Sequence, residues 1–348
     1  GAGLMIGQIL HIEDGEQIQR ALMLLPLCPA TAFAETLTTH AAEIDQTADL
    51  LPVAESTCGD GVTWNITQDG ILTISGEGDM RNYSCVYDGQ PWIPYEESIT
   101  GIRIEGTVNS IGSFAFYGMD IQTVVIEDGV TSIGQNAFSG SKLTALSLPD
   151  SVTTIGNYAF GSSSLTSITI PNSVISIGNY TFQSCHRMTG IWVSESNPNY
   201  SSDAYGVLFD KKKTALICVP SGFSGNYTIP DSVTTIDTDA FANNDSLTSV
   251  TIPDSVTTIG EGAFTNCYKL TGILVSEGNP NYSSDAYGVL FDKEKTKLIC
   301  APGGLSSNYT IPDSVTSIGS YAFYYCSNFT DITIPNGVTT IGDSAFEY

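Results

Sequence analysis

The sequence predicts a solenoid of stacked coils, because one short motif recurs along most of its length. The motif is Ile-Gly-x-x-Ala-Phe, and its Phe falls at positions 116, 138, 160, 182, 241, 264, 323 and 346. Successive spacings are 22, 22, 22, 59, 23, 59 and 23 residues. The shorter spacings lie within the roughly 20 to 29 residues of a leucine-rich repeat. The predicted fold is therefore a leucine-rich-repeat solenoid.

Two further observations support this fold class. A larger block of 82 residues is duplicated, as shown by the equal spacing of Ile177, Ile259 and Ile341. The composition is low in charge, at 14%, and rich in Gly, at 34 residues, as is common in β proteins with many turns. We expect a β-dominated α/β solenoid, with short parallel strands on one face and turns and short helical segments on the other.

Within one coil, alternating apolar residues predict a short strand. Leu165, Ile168 and Ile170 follow the L-x-x-L-x-L spacing and are expected to face inward. Ser167 and Thr169 then face outward. Pro lacks a backbone donor and is tolerated at strand ends, so the recurrent Pro-Asp-Ser predicts a tight corner after the strand. This tripeptide occurs at 149–151, 230–232, 253–255 and 312–314.

The Gly and Phe of the motif predict two further parts of the coil. Gly follows the recurring Ile in seven of the eight units, which favours a backbone position with positive φ. The exception is Asp237, one of the few residue types that enter that region at tolerable cost. The Phe side chains are expected to stack, one per coil, as the spine of the core.

The remaining segments divide the chain into predicted domains. Residues 58–105 are interpreted as a β-rich N-terminal cap, because 62–67 and 71–75 flank an Asp-Gly turn and predict a hairpin. Residues 106–348 form the solenoid, and 35–57 are a predicted linker. The segments 197–226 and 279–308 each begin with the same 14 residues, NPNYSSDAYGVLFD, and predict two projecting hairpin modules.

Residues 1–34 resemble a secretory signal region. Arg20 precedes the apolar stretch 21–28, and Ala-Phe-Ala at 32–34 supplies the small-x-small pattern of a cleavage site. The sequence contains no run of 18 apolar residues, so it predicts no membrane-spanning helix. We therefore expect the protein to be exported.

The charge balance excludes one class of partner. Acidic residues outnumber basic ones 37 to 12, giving a net charge of -25, which repels a phosphate backbone. We expect no nucleic-acid partner and no membrane insertion.

Catalytic and metal-binding patterns are also missing from the sequence. The three His, at positions 11, 40 and 186, do not form a metal-binding or triad pattern, and the recurrent Asp of the corners lack a calcium motif. Cys185, Cys267 and Cys326 share one repeat position, where other units carry Ser or Asn, and are interpreted as packing thiols. Cys58 and Cys85 flank the predicted cap, and a bridge between them is left open. We expect no enzyme activity, no cofactor and no metal.

Candidate binding residues lie on the outward strand face and at the modules. Trp192 and Leu274 replace the Ser or Thr of other coils; they either pack beneath a module or contact a ligand. Six of the eight Lys lie in the modules, where they form a ligand contact or merely guard a solvated strand edge. The candidates are Ser167, Thr169, Trp192, Thr251, Leu274, Thr333, Lys211, Lys212, Lys213, Lys293, Lys295 and Lys297.

From about residue 100 onward the chain resembles the BspA-like surface proteins with Treponema-type leucine-rich repeats. The resemblance rests on segments such as IGNYAF and on the position-matched Cys185, Cys267 and Cys326. It implies a secreted or cell-surface protein that adheres to or binds another protein, from a host matrix or a bacterial surface. Thr181 departs from the Ala of the pattern.

Two alternatives to protein binding stay open at this point. One is a structural spacer or surface-layer element, and the other is a carbohydrate-binding module that uses Tyr200, Tyr205, Tyr282 or Tyr287. The sequence stops two residues beyond its eighth Phe, so we expect a fragment or an end covered by self-association.

Overall fold

The computed structural model describes residues 56–85, 89–306 and 308–348. The predicted signal region, His11, His40 and nearly all of the predicted linker lie outside these residues. The chain forms two compact units: the first ends at Ser163 and includes Ile177–Thr181, and the second comprises Ser164–Ser176 and Phe182–Tyr348. Each unit consists of stacked coils, as predicted for a leucine-rich-repeat solenoid.

The first unit contains two ladders of strands. Its strands are β1 (Ser56–Gly59), β2 (Val62–Ile66), β3 (Ile71–Gly76), β4 (Gly78–Asp79), β5 (Gly101–Ile104), β6 (Val108–Ile111), β7 (Val124–Ile126), β8 (Ser132–Ile133) and β9 (Thr154–Ile155). β1, β2 and β3 are antiparallel, and β3 continues in parallel into β5 and β7. β4, β6, β8 and β9 form a second, parallel ladder.

The second unit also combines parallel ladders with antiparallel strands, and it does so in two copies. Its strands include β10 (Ser167–Ile170), β12 (Gly190–Val193), β13 (Tyr200–Ser202), β14 (Leu208–Asp210), β15 (Ala215–Cys218), β16 (Gly225–Thr228), β17 (Thr235–Ile236), β18 (Leu247–Ile252), β19 (Thr258–Ile259) and β20 (Gly272–Val275). The second copy continues with β21 (Tyr282–Ser284), β22 (Leu290–Asp292), β23 (Lys297–Cys300), β24 (Tyr309–Thr310), β25 (Ser317–Ile318), β26 (Ile332–Thr333) and β27 (Thr340–Ile341). The short strand β11 (Ser176–Ile177) spans the unit boundary.

Each predicted hairpin module is a three-stranded antiparallel meander. In the first, β13 pairs with β14 and β14 with β15. β15 then pairs in parallel with β17, so that the meander extends the ladder of two-residue strands. The second module, β21 to β23, joins β25 and β27 in the same way.

The structure differs from expectation on the side of the coil opposite the long strands. The sequence predicts turns and short helical segments there, whereas the described coils carry two-residue strands such as β17 and β19. The one helix among the described residues is a 3₁₀ helix at Ile93–Ser98. The Thr-Thr-Ile segments therefore extend rather than coil, as β-branched residues favour.

The predicted strand faces and Phe spine are confirmed. In β10, Ile168 and Ile170 are buried while Ser167 and Thr169 are exposed. Phe138 stacks on Phe116 at a centroid distance of 5.3 Å and on Phe160 at 5.9 Å. In the second unit Phe241 stacks on Phe264, and Phe323 on Phe346, both at 5.0 Å. Buried Tyr227 and Tyr309 extend these stacks into the module coils, at 6.2 and 6.4 Å.

The prediction about the motif Gly is wrong. None of the seven, which include Gly134, Gly156 and Gly319, has a positive φ. The reason for Gly is the close approach of neighbouring coils: a Cβ on Gly134 would lie 2.5 Å from the backbone N of Ser113. The left-handed conformation instead falls two residues before and two after the Phe, for example at Tyr158 and Ser162.

Cys185, Cys267 and Cys326 are thiols outside any disulfide, as predicted for packing residues. Cys267 is buried, and its thiol lies 3.1 Å from the carbonyl oxygen of Phe241. Burial raises the pKa of Cys267 to about 12. Cys58 is a free, buried thiol and Cys85 is disulfide-bonded, so these two residues do not bridge each other.

Candidate binding surface

The long strands of the second unit present rows of side chains to solvent, which we call the outer ladder. It comprises the outward-facing residues of β10, β12, β16, β18, β20, β24 and β26. In its first sheet Ser167 lies opposite Gly190, and Thr169 lies opposite Trp192. Three of the predicted site residues are therefore neighbours.

The outer ladder continues in two further sheets. Thr228, Thr251 and Leu274 form one row across β16, β18 and β20, and Thr310 lies opposite Thr333. The outer ladder therefore includes two threonines, Thr228 and Thr310, that were not among the predicted candidates. They were missed because each follows a module, where the spacing of 59 interrupts the repeat.

Hydroxyl and amide groups also bond from coil to coil. Thr248 Oγ1 donates to Asn226 Oδ1 at 2.6 Å, and Thr330 Oγ1 donates to Asn308 Oδ1 at 2.5 Å. These bonds hold polar side chains in fixed positions at the start of the strands. The surface can therefore offer ordered hydroxyl and amide groups to a ligand.

Trp192 and Leu274 are not covered by the modules, contrary to the first of the two interpretations. Their side chains are 41% and 48% exposed. Trp192 lies against Gly190 on its own strand, and Leu274 lies in the same way near Gly272. Each is the one large apolar residue of its row, set among hydroxyl-bearing neighbours.

Each module is anchored by a buried asparagine whose side-chain amide is fully used. Asn197 Nδ2 donates to the carbonyl oxygens of Pro171 and Val174, at 2.7 and 3.0 Å. Its Oδ1 accepts from the backbone amides of Asn199 and Tyr200. Asn279 makes the same four bonds in the second module. These bonds fix the start of each meander against the preceding corner.

The loop that follows β13 lies beside the outer ladder and is held by hydrogen bonds to Asp203. Asp203 Oδ1 accepts from the backbone amides of Tyr205 and Val207, and its Oδ2 accepts from the Tyr227 hydroxyl at 2.7 Å. Burial and the adjacent Asp203 carboxylate raise the pKa of Tyr227, so its hydroxyl stays protonated as a donor.

Of the four tyrosines considered for carbohydrate binding, two are exposed. Tyr205 is 60% exposed and Tyr287 is 50% exposed. Tyr282 is partly buried, and its hydroxyl accepts a bond from the backbone amide of Ile259.

The lysines of the modules belong to a different sheet from the outer ladder. Lys211–Lys213 lie in the turn between β14 and β15, and the second set surrounds the turn between β22 and β23. Lys211 Nζ donates to the carbonyl oxygen of Glu195 at 2.8 Å, and Lys293 repeats this contact with Glu277. Lys213 and Lys295 lie over the rings of Phe209 and Phe291. Several of these lysines therefore have local roles in the module, which accounts for part of their concentration there.

The titratable side chains do not gather into a metal-binding group in the part of the chain that the structure describes. Within the described residues no cluster of His, Cys, Asp and Glu could hold a metal ion. His186 Nδ1 lies 2.9 Å from Asp245 Oδ2, and both side chains are about half exposed. In the part of the chain that the structure describes, no helix is long and apolar enough to cross a membrane.

A cluster of tyrosines near the motif Phe of the last coils was missed by sequence reasoning. Tyr325 stacks on Tyr348 at 4.5 Å and contacts Tyr324 and Tyr268 edge-on at 4.9 and 5.9 Å. Tyr268 and Tyr325 are brought together across a whole module, so no local pattern joins them. The recurrence of an aromatic residue within four positions after the Phe was the available signal.

Comparison with family models identifies the repeat. A model described as the BspA type leucine-rich repeat region matches in six copies, over residues 95–207, 224–289 and 305–348. The chain belongs to the BspA-type leucine-rich repeat family. No curated protein matched the chain.

Solved structures of bacterial repeat proteins are similar to this chain. A leucine-rich repeat protein from Eubacterium ventriosum is 25% identical, with a TM-score of 0.59, over 83% of this chain and 93% of the other. A leucine rich cell surface protein from Faecalibacterium prausnitzii is 24% identical, with a TM-score of 0.46, over 85% and 96%. The pneumococcal vaccine antigen PcpA is 21% identical, with a TM-score of 0.41, over 86% and 68%. The first likeness supports the solenoid fold.

Proposed function

We propose that this chain is an exported or cell-surface protein that binds another protein through its outer ladder and has no catalytic role. The observation that carries the proposal is the row of outward hydroxyls, regular from coil to coil and interrupted only by Trp192 and Leu274. Protein interfaces of standard size bury about 800 Å² per partner, which a repeated sheet face can supply without a pocket. The family membership of the chain supports the same function.

The partner class follows from charge and from the resemblance. A protein of net charge -25 is unsuited to nucleic acid, and a protein of a host matrix or of a bacterial surface fits the proposed location. The lysines at 211–213, 293, 295 and 297 form a second, separate contact surface in this proposal. Its contribution is tested by replacing them independently of the ladder.

The chain offers a matched control for the ladder. Thr228 and Thr251 are paired across β16 and β18 on the outer ladder, and Thr235 and Thr258 are paired across β17 and β19 on the other sheet. Each pair would be replaced by Arg in the full chain, and the proteins retained from matrix and bacterial surface extracts would be compared. We expect Thr228→Arg with Thr251→Arg to abolish retention of a specific protein, and the control pair to leave it unchanged.

The same experiment addresses the rival function. A structural spacer or surface-layer element would retain no protein specifically, and equal retention by all variants would show that the outer ladder is not the contact surface. Circular dichroism of each variant establishes that the coils remain folded.

A further inference from the structure

Trp192 is the exposed tryptophan of the chain. Trp64 and Trp92, the other two, are buried in the first unit. A Cβ on Gly190 would lie 2.6 Å from Cε2 of Trp192 and 2.7 Å from its Cζ2 and Nε1. The indole therefore lies flat against its own strand, because Gly190 leaves the space that any other side chain would occupy. One face of the ring rests on the backbone and the other is available to solvent.

Polar side chains lie on the strand beside this indole, and a loop that carries a second aromatic residue is bonded to the strand of Trp192. On one side, Ser167 and Thr169 of β10 lie opposite Gly190 and Trp192, and both are exposed. On the other side, the loop that carries Tyr205 is bound to β12, since the Ile191 amide donates to the Gly206 carbonyl oxygen at 2.8 Å. Gly206 packs on Gly190, where a Cβ would lie 2.5 Å from the Gly190 Cα.

The loop that holds Tyr205 is prepared in advance of any ligand. Asp203 binds two backbone amides of the loop and the hydroxyl of buried Tyr227 on β16. Phe223 and Tyr227 contact the Tyr205 ring edge-on, each at 6.0 Å. A ligand that contacts both rings would therefore need little rearrangement of the protein.

We infer that Trp192 and Tyr205, with the hydroxyls of Ser167 and Thr169, bind a neutral saccharide. A hexopyranose presents an apolar face of C–H bonds that can stack on a flat indole, and a rim of hydroxyls that can bond to neighbouring Ser and Thr. A protein partner fits this spot less well, because interface cores are contiguous apolar patches, whereas here one ring is surrounded by polar residues. The net charge of -25 disfavours an anionic saccharide.

The second module provides a natural control. Gly272 and Gly288 repeat the Gly190 and Gly206 pair, with the same 2.5 Å from a Cβ on Gly288 to the Gly272 Cα. Tyr287 is exposed like Tyr205, but Leu274 stands in place of Trp192. Since Leu has no flat ring, the second module has the frame of the site without its stacking surface.

This inference does not depend on the proposed protein binding and is tested separately. The full chain would be titrated with the neutral oligosaccharides cellohexaose, maltohexaose and chitohexaose, with calorimetry and tryptophan fluorescence as readouts. We expect one of them to bind, to shift the emission to shorter wavelength and to protect Trp192 from acrylamide. Trp192→Ala should weaken binding by about tenfold or more, and Leu274→Ala should not change it.

A gain of binding gives the sharpest test. Leu274→Trp should add a second site, so that the stoichiometry measured by calorimetry rises from one to two saccharides per chain. No binding of any of the three oligosaccharides, or equal binding by Trp192→Ala, would overturn the inference. Loss of a captured protein in Trp192→Ala, without saccharide binding to the unaltered chain, would also overturn it and make Trp192 part of a protein interface. Loss of capture in the Thr228 and Thr251 variant alone concerns only the proposed function.

Discussion

The close approach of neighbouring coils makes Gly134→Ala the most informative single substitution. The added Cβ would lie 2.5 Å from the Ser113 N, 2.7 Å from the Gly112 C and 2.8 Å from the Ile111 O, all of them backbone atoms. An ordinary contact is about 3.5 Å or more, so the coils would have to separate by several tenths of an ångström. The Gly134 amide bonds to the Ile111 carbonyl oxygen at 2.8 Å, which resists that separation.

The expected loss is about 3 kcal/mol of the free energy of unfolding, at the upper end of the usual cost of overpacking. Gly118→Ala is the matched control in the same unit. Gly118 has a φ of 71° and no atom within 4 Å of an added Cβ, so that only backbone strain opposes the substitution. That strain costs about 1 to 2 kcal/mol. Both substitutions reduce the entropy of the unfolded chain equally, so this effect cancels in the comparison.

Urea unfolding followed by tryptophan fluorescence measures the difference. Trp64 and Trp92 are buried in the first unit, so the red shift of their emission reports on the unit that contains both substitutions. Gly134→Ala should lower the unfolding midpoint clearly more than Gly118→Ala does. If Gly118→Ala proved the more destabilising, backbone conformation rather than coil spacing would be the dominant constraint on the recurrent glycines of this chain.

Three other substitutions or treatments test the packing. Phe160→Ala should lower the free energy of unfolding by about 3 to 5 kcal/mol, because the buried Phe160 ring stacks on Phe138. Thr169→Ala, at an exposed position, should lower it by under about 0.5 kcal/mol. Similar losses for the two variants in denaturant melts would contradict the assignment of inward and outward strand faces. Burial raises the pKa of Cys267 from 9.0 to about 12 in the folded chain, so its thiol should label slowly at pH 8 until the chain unfolds. The protonated thiol should favour the folded state below about pH 9, and this stabilisation should be lost as the pH rises toward 12. Rapid labelling of the native protein, read by mass spectrometry, would argue against this burial. Asn197→Leu removes four hydrogen bonds to backbone groups and should lower the free energy of unfolding by on the order of 3 to 5 kcal/mol. Asn199→Ala removes one exposed hydrogen bond to Ile175 and should lower it by under about 1 kcal/mol. A small effect of Asn197→Leu in thermal melts would mean that the module does not need this anchor.

The period of the sequence was sufficient to predict the parts of the coil that repeat. Phe138 and Phe160 had to stack because equivalent residues of a solenoid occupy equivalent places in successive coils. Ile168 and Ser167 took opposite faces because side chains alternate along a strand. The shared position of Cys185 and Ser163 indicated a small buried side chain, and both are buried.

The parts that could not be predicted depend on contacts between segments distant in sequence. The joining of β15 to β17 converts the predicted projecting module into an extension of the ladder, and no local pattern encodes that pairing. The loop that carries Tyr205 approaches the strand of Trp192 only because neither Gly206 nor Gly190 has a side chain, and no local pattern encodes this approach. The tyrosine cluster around Tyr325 likewise requires two coils to meet across a module.

Asp237, the exception among the motif glycines, leads to a final prediction. Both Asp237 and Gly319 follow a module, so that the preceding neighbour in the ladder is β15 or β23 instead of an ordinary coil. At Gly319 an added Cβ would lie 3.2 Å from the Leu298 O and 3.4 Å from the Ile299 O, a looser contact than at Gly134. The coil after a module therefore has room for a side chain, which explains how Asp is accommodated at 237 without a positive φ.

Gly319→Ala should lower the free energy of unfolding by less than about 1 kcal/mol, since the neighbouring atoms need to move only slightly. Far-ultraviolet circular dichroism during urea unfolding measures this effect, with Gly260→Ala as the control in the same unit, where an added Cβ would clash with the backbone N of Thr238. Equal destabilisation by the two substitutions would show that modules do not relax the spacing of the coils.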